Sequence, residues 1–255
     1  MEWLMELLNT TSGHWYDCGG RVVPSVTTIL NILDKPMLHE WRLKQGYKAD
    51  VVTRDACMVG NIVHDVLCRV ARGETVELDD VYLYKSKEVW LTDEMFKAIK
   101  SGVEWFKDTL IEGHDILATE KQLSHPDYNF AGTVDLAVKI EDETWLIDYK
   151  TSKQLDENVD LQLTAYAMLW NANYPDNQVT RIGALNCKKA WVSKPSAILK
   201  KYKLVEDHWN AVMTLWSRKK QKPNMKYSGT KVFKLLSGIE INDIVIAEEV
   251  ECSGI

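Results

Sequence analysis

Apolar positions along GNIVHDVLCRVARG recur with a helical period. Ile62, Val63, Val66, Leu67 and Val70 form one stripe, closed by Gly73. The whole run from Met37 to Gly73 reads as mostly helical, and Leu91 to Ile111 as another amphipathic helix. Upstream, HWYDCGGRVVPSVTTILNI (His14 to Ile32) reads as a hairpin with a Gly-Gly turn and then a helix with Ser25 as N-cap. Lys35-Pro36 is expected to end that element. Beyond residue 115 the period changes to two. Ile116 to Leu123, Thr133 to Ile140 and Thr144 to Lys150 read as three strands. Asp156 to Asn173 is helical, Arg181 to Val192 and Lys200 to Val205 are strands, and Glu206 to Lys220 is a helix with a basic end. The tail from Lys231 to Glu251 carries short strand-like runs. This order predicts one domain over 1–255 with an α/β core at 116–205. A mainly helical part (1–115) precedes it and a helix with short strands (206–255) follows.

Composition narrows the class. Apolar residues make up 45% and charged residues 27%, which suits a globular chain that buries a sizeable core. No apolar run is long enough to span a bilayer, and MEWLMELLNTTSG lacks the basic start of a signal peptide. Cys18, Cys57, Cys68, Cys187 and Cys252 form no CxxC pair. Together these predict reduced thiols and a cytoplasmic location, with Cys57 and Cys68 as small core residues. A net charge of −6 argues against coating nucleic acid through bulk charge. It does not exclude a nuclease, because carboxylates at a metal site lower the net charge and the cation restores positive potential locally.

The chemistry sits in GTVDLAVKIEDETWLIDYKTSK, Gly132 to Lys153. Asp135 interrupts one apolar strand, and Asp148 and Lys150 interrupt the next. Side chains alternate along a strand, so Asp148 and Lys150 share a face. With a turn near Glu141-Asp142-Glu143, Asp135 and Asp148 become near cross-strand neighbours. Two carboxylates together in an apolar sheet repel and are costly to desolvate. A divalent cation resolves both problems, and hard oxygen ligands suit Mg²⁺ or Mn²⁺. The bland alternative is a solvated surface hairpin, since Asp-x-Lys alone is common.

The wider pattern resembles the PD-(D/E)xK nucleases, and within them the RecB-like exonucleases. GTVD is followed by DYK, with GxxxH upstream as GNIVH and QxxxY downstream as QLTAY. PSVTTIL and WRLKQGY also look like the opening of phage-type members and of the mitochondrial genome maintenance exonuclease; the likeness covers roughly Pro24 to Leu169. It implies a restriction-endonuclease-like core, a central mixed sheet flanked by helices. His64, Asp135 and Asp148 would ligate the metal with the carbonyl of Tyr149, and Glu120 would hold a second ion directly or through water. Lys150 would position or help deprotonate the attacking water, and Gln162 and Tyr166 would brace the site or touch the DNA backbone. Without the motifs, His64 reads as a core histidine and Glu120 as a surface pair with Lys121.

The iron–sulfur cluster of some relatives needs one cysteine before the GxxxH helix and three near the C-terminus. Here only Cys187 and Cys252 follow the core, so no cluster is expected. The implied activity is a Mg²⁺- or Mn²⁺-dependent DNA exonuclease, using one or two ions and preferring single strands or free ends. Its setting would be recombination, replication or repair, with a phage or other virus as the expected source. The reading leaves room for a homo-oligomer or a recombination partner. An endonuclease of the same superfamily and a DNA-binding module without catalysis are the competing readings. Basic clusters at Lys188-Lys189, Lys200-Lys201-Lys203 and Arg218-Lys219-Lys220-Lys222 are solvated faces or groove borders, and Trp15, Tyr16, Trp41 and Tyr47 are core or base-stacking residues. An enclosed passage under the N-terminal helices would select single strands.

Overall fold

A computed structural model describes residues 5–77, 79–110, 116–191, 193–219, 221–223, 231–234 and 240–243. Its centre is a five-stranded sheet made of β6 (Ile116–Ser124), β7 (Ala131–Ile140), β8 (Glu143–Lys150), β9 (Arg181–Cys187) and β10 (Ala197–Tyr202). The strand order is β10-β9-β8-β7-β6. β8 and β9 are parallel and the other neighbours antiparallel, so the sheet is mixed. The parallel pair needs a crossover, and α5 (Val159–Asn173) supplies it.

Helices cover both faces, which is why β8 reads as a nearly continuous apolar run. Leu146 packs with Ile182, Leu163, Leu169 and Trp209 on the side of α1 (Val26–Leu30), α5 and α6 (Glu206–Lys219). Trp145, Ile147 and Tyr149 pack on the other side against α3 (Ala49–Ala71) and α4 (Asp93–Thr109). The interrupted strand therefore presents Asp148 and Lys150 towards the α5 side, as the alternation requires.

The part before residue 116 differs from expectation in three places. First, β1 (Met5–Thr10) pairs with β2 (Gly13–Cys18), which pairs with β3 (Val22–Pro24) across Gly19-Gly20, making a three-stranded sheet where only one hairpin was expected. Second, Pro36 does not end α1, which stops at Leu30. It opens α2 (Pro36–Gln45), where its missing N–H is harmless and its φ already helical. Third, β4 (Val81–Tyr84) and β5 (Lys87–Trp90) form an unforeseen hairpin. Its turn residues Lys85 and Ser86 have φ +48° and +61°, a left-handed pair usually signalled by Asn or Gly. Ser25 caps α1 as expected, accepting the N–H of Thr28 at 3.0 Å. Cys68 is buried, but Cys57 is exposed, because the first turns of α3 project beyond the sheet. Trp15 and Tyr16 are buried and Trp15 packs near Trp216, so these two belong to the core. Trp41 is partly buried and Tyr47 is 90% exposed. Of the tail, β11 (Lys231–Lys234) and β12 (Glu240–Asp243) pair, while the remaining strand-like runs, Lys220 and Cys252 lie outside the described residues. Among the described residues no helix is long and apolar enough to cross a membrane.

Candidate active site

The site lies where β7 and β8 part. Their ladder runs from Ile140/Glu143 to Leu136/Ile147 and stops one step before Asp135 and Asp148. β8 continues beside β9 as far as Lys150/Asn186. In the gap Asp135 Oδ2 accepts the backbone N–H of Tyr149 at 2.9 Å, so the carboxylate replaces a ladder bond. The two aspartates are thus neighbours across a split in the sheet.

α3 brings His64 to this split. Its apolar residues Ile62, Val63, Val66 and Leu67 are buried against the sheet, and that fixes the rotation of the helix. His64 Nε2 donates to the Tyr149 carbonyl at 2.5 Å, and Nδ1 lies 3.2 Å from Asp135 Oδ2. The ring stacks edge-on against Tyr149, 5.6 Å between centroids. Glu120 joins from β6. Its φ is +48°, an uncommon left-handed conformation for a non-glycine residue, set between the paired positions Thr119/Leu136 and Lys121/Val134. One ligand atom each from His64, Glu120 and Asp135 lie within 4.8 Å of one another. The imidazole is partly exposed, and Glu120, though exposed on its strand, lies beside it and Asp135.

Asp148 is held separately. Its Oδ2 is ion-paired with Lys150 Nζ at 2.6 Å, and its Oδ1 accepts from Gln162 Nε2 at 3.0 Å. The same amide donates to Tyr166 Oη at 3.2 Å, so the QxxxY pair acts as one brace on α5. Gly132 makes room for it. A Cβ there would lie 2.4 Å from the Tyr166 ring, so the glycine of GTVD serves close packing. Gly60 differs: a Cβ would meet only Thr151 Oγ1, at 3.8 Å.

Electrostatics mark the split as short of positive charge. Burial, above all, pushes the Asp135 carboxyl up to about 7; His64 pulls it down, Asp148 pushes it further up, and Lys150 and the Tyr149 N–H pull it down again. Burial alone would lower the Lys150 ammonium, but Asp148, joined by Asp135 and Asp156, outweighs it and the net shift is upward. The buried acids need a proton or a cation. One imidazole, several carboxylate oxygens and a backbone carbonyl form a donor set that fits a hard divalent ion.

His64, Glu120, Asp135, Gly132 and Tyr166 open on a cleft of about 490 Å³. One wall is α3, with Asn61, His64 and Asp65. The other is the N-terminal sheet and the start of α1, with Leu7, His14, Tyr16, Ser25 and Thr27. The wall facing α3 is thus largely strand, where helices were expected. Tyr16 Oη shares a 2.8 Å hydrogen bond with Thr133 Oγ1 and ties that wall to β7. Asn61 and Asp65 were missed in the sequence, although both sit one turn or less from His64 on a polar face. The basic clusters lie elsewhere: Lys189 pairs with Glu94 at 3.4 Å, and Lys200 and Lys201 sit over the Tyr202 and Trp145 rings.

The model of the PD-(D/E)XK nuclease superfamily matches residues 25–226. The chain belongs to that superfamily. Its mixed five-stranded sheet flanked by helices is the restriction-endonuclease-like core of these nucleases, whose substrate is DNA and which generally use divalent metals. Two solved structures are distant likenesses. One is that of SSO0001, with 14% identity and a TM-score of 0.35, over 79% of this chain and 77% of that one. The other is a candidate exonuclease from Eubacterium rectale, with 9% identity and a TM-score of 0.40, over 63% of this chain and 64% of that one. Likenesses this distant say nothing of activity. No curated protein sequence matches the chain.

Proposed function

We propose that this superfamily member is a Mg²⁺- or Mn²⁺-dependent deoxyribonuclease that works as an exonuclease from DNA ends, preferring single strands. The observation that carries the reading is the convergence of His64, Glu120 and Asp135 at one cleft, with the Lys150–Asp148 pair on the neighbouring strand across the split. His64, Asp135, Glu120 and the Tyr149 carbonyl would hold the cation, with Asp148 as the adjoining carboxylate. A divalent ion there supplies Lewis-acid polarisation of the phosphoryl group and activation of water at neutral pH.

The protein's own groups do the rest. Lys150 presents an ammonium to the phosphate oxygens and orients the attacking water. Gln162 and Tyr166 hold Asp148 in place. No covalent nucleophile is needed, and in-line attack by water is the simplest course. Walls on both sides of the cleft support a preference for a single strand or a frayed end over intact duplex. Work on DNA ends in recombination, replication or repair accords with this activity.

The test uses end-labelled linear single strands, linear duplex and closed single-stranded circles, with Mg²⁺, Mn²⁺ or EDTA, for the wild type and Lys150→Ala. Metal-dependent loss of linear DNA, intact circles and an inactive variant are expected. Cut circles would turn the reading into an endonuclease. Binding without cleavage in either metal would leave a DNA-binding module.

A further inference from the structure

His64 and Cys68 of α3 and its C-cap residue Arg72, four apart in turn, each reach the central sheet. His64 reaches Asp135 and the Tyr149 carbonyl. Arg72 Nη1 donates to Thr119 Oγ1 at 3.2 Å while its Nε is held by Glu74 at 2.7 Å. Between them Cys68 Sγ donates to Glu120 Oε1 at 3.4 Å and approaches the Asp135 carbonyl at 3.7 Å. Cys68 is 1% exposed. Its position is fixed by the apolar packing of Val66 and Leu67 on either side of the same helix turn.

Glu120 needs such a hold. Its side chain is exposed, and its backbone sits in a left-handed conformation that L-residues adopt only at an energetic cost. Strand pairing resumes on both sides of it, so the kink is local. Its carboxylate is then aimed by what lies against it, and the thiol lies against it. We infer that Cys68 is a positioning residue for the metal centre, acting through Glu120: its S–H fixes the carboxylate within reach of His64 and Asp135. The helix that carries one ligand thus sets the orientation of another from a different segment. This inference rests on the metal-dependent reading above.

The test is a double-mutant cycle in Mn²⁺ affinity, read by calorimetry and by the Mn²⁺ resonance spectrum, in the full chain without DNA. Cys68→Val keeps an apolar group of similar size and removes the donor; Cys68→Ser keeps a donor. Cys68→Val is expected to weaken Mn²⁺ binding about 10-fold, as loss of a group orienting a metal ligand does. Cys68→Ser is expected to recover most of that loss. In a Glu120→Gln background Cys68→Val should change nothing further. An equal effect of Cys68→Val with and without the Glu120 carboxylate, or wild-type affinity in Cys68→Val, overturns the inference. Failure of the wild type to bind Mn²⁺ at all would instead overturn the metal-dependent reading. Melting curves with EDTA show whether each variant is folded before it is titrated.

Discussion

Lys150 stands beside a carboxylate that keeps it charged. Burial works against the charge, but Asp148, with Asp135 and Asp156, outweighs it and holds the lysine ammonium above its ordinary value. It is therefore a fixed positive charge beside the split in the sheet. Replacing it with alanine removes that charge, so kcat should fall by about 10²–10³-fold, the usual loss for one electrostatic contact to a developing charge. Melting temperature should fall as well, because buried Asp148 loses its counter-charge, and the rate is compared at a temperature where the melting curve shows the variant folded.

Asp135 behaves in the opposite way. Its carboxyl rises from 3.8 to about 7, first through burial. The folded protein then keeps a proton that the unfolded chain releases. This group's contribution to stability is full in acid, declines as pH rises from about 4 to about 7, and is flat above that. A divalent ion held as proposed would compete with the same proton. Melting curves with and without Mg²⁺ should show a larger stabilising shift at pH 8 than at pH 5.5. In Asp135→Asn the shift should be small at both, and equal wild-type shifts at the two pH values would contradict the account.

At the scale of elements, the brace on α5 depends on a missing side chain in β7. Gly132→Ala puts a methyl group where the Tyr166 ring lies. Overpacking of this kind costs about 1–3 kcal/mol. Because Tyr166, Gln162 and Asp148 are linked in series, activity should fall more steeply than stability. A urea titration beside a cleavage assay separates the two losses. The same region shows what could be read in advance. Core strands β7 and β8 follow from short, nearly continuous apolar runs, which a sheet covered on both faces requires, and a charge inside such a run is what makes Asp135, Asp148 and Lys150 stand out; α5 follows from its length and apolar content. β1 was not legible, because MELLNT mixes apolar and polar residues without a strict period and the Thr11-Ser12 turn that pairs it with β2 lacks the usual hairpin residues. The β4–β5 turn was not legible, because Lys85-Ser86 lacks turn chemistry. The contact between Cys68 and Glu120 joins residues 52 positions apart, and a cysteine inside an apolar stripe carries no sign of it.

Across the whole molecule, the cleft is closed on one side by a sheet tied to the core by Tyr16 at Thr133 and by Arg21, which donates to the carbonyls of His125, Pro126 and Tyr128. Tyr16→Phe removes the bond to Thr133, a net change of about 1 kcal/mol. It should leave the metal centre intact, lower the affinity for single strands and speed amide hydrogen exchange in β1 to β3. Exchange rates unchanged there would argue against that bond as the tie between wall and core.

β10 is the outer strand of the central sheet. Along it Ile198, Lys200 and Lys201 are exposed. An open strand edge is a template for another chain, and lysines beside it make such pairing costly, because a docking strand would have to strip water from the ammonium groups. Lys200 and Lys201, one of the basic clusters noted in the sequence, would thereby guard this edge against self-association. With Lys200→Val and Lys201→Val together, the protein should scatter more light on refolding from urea at the same concentration.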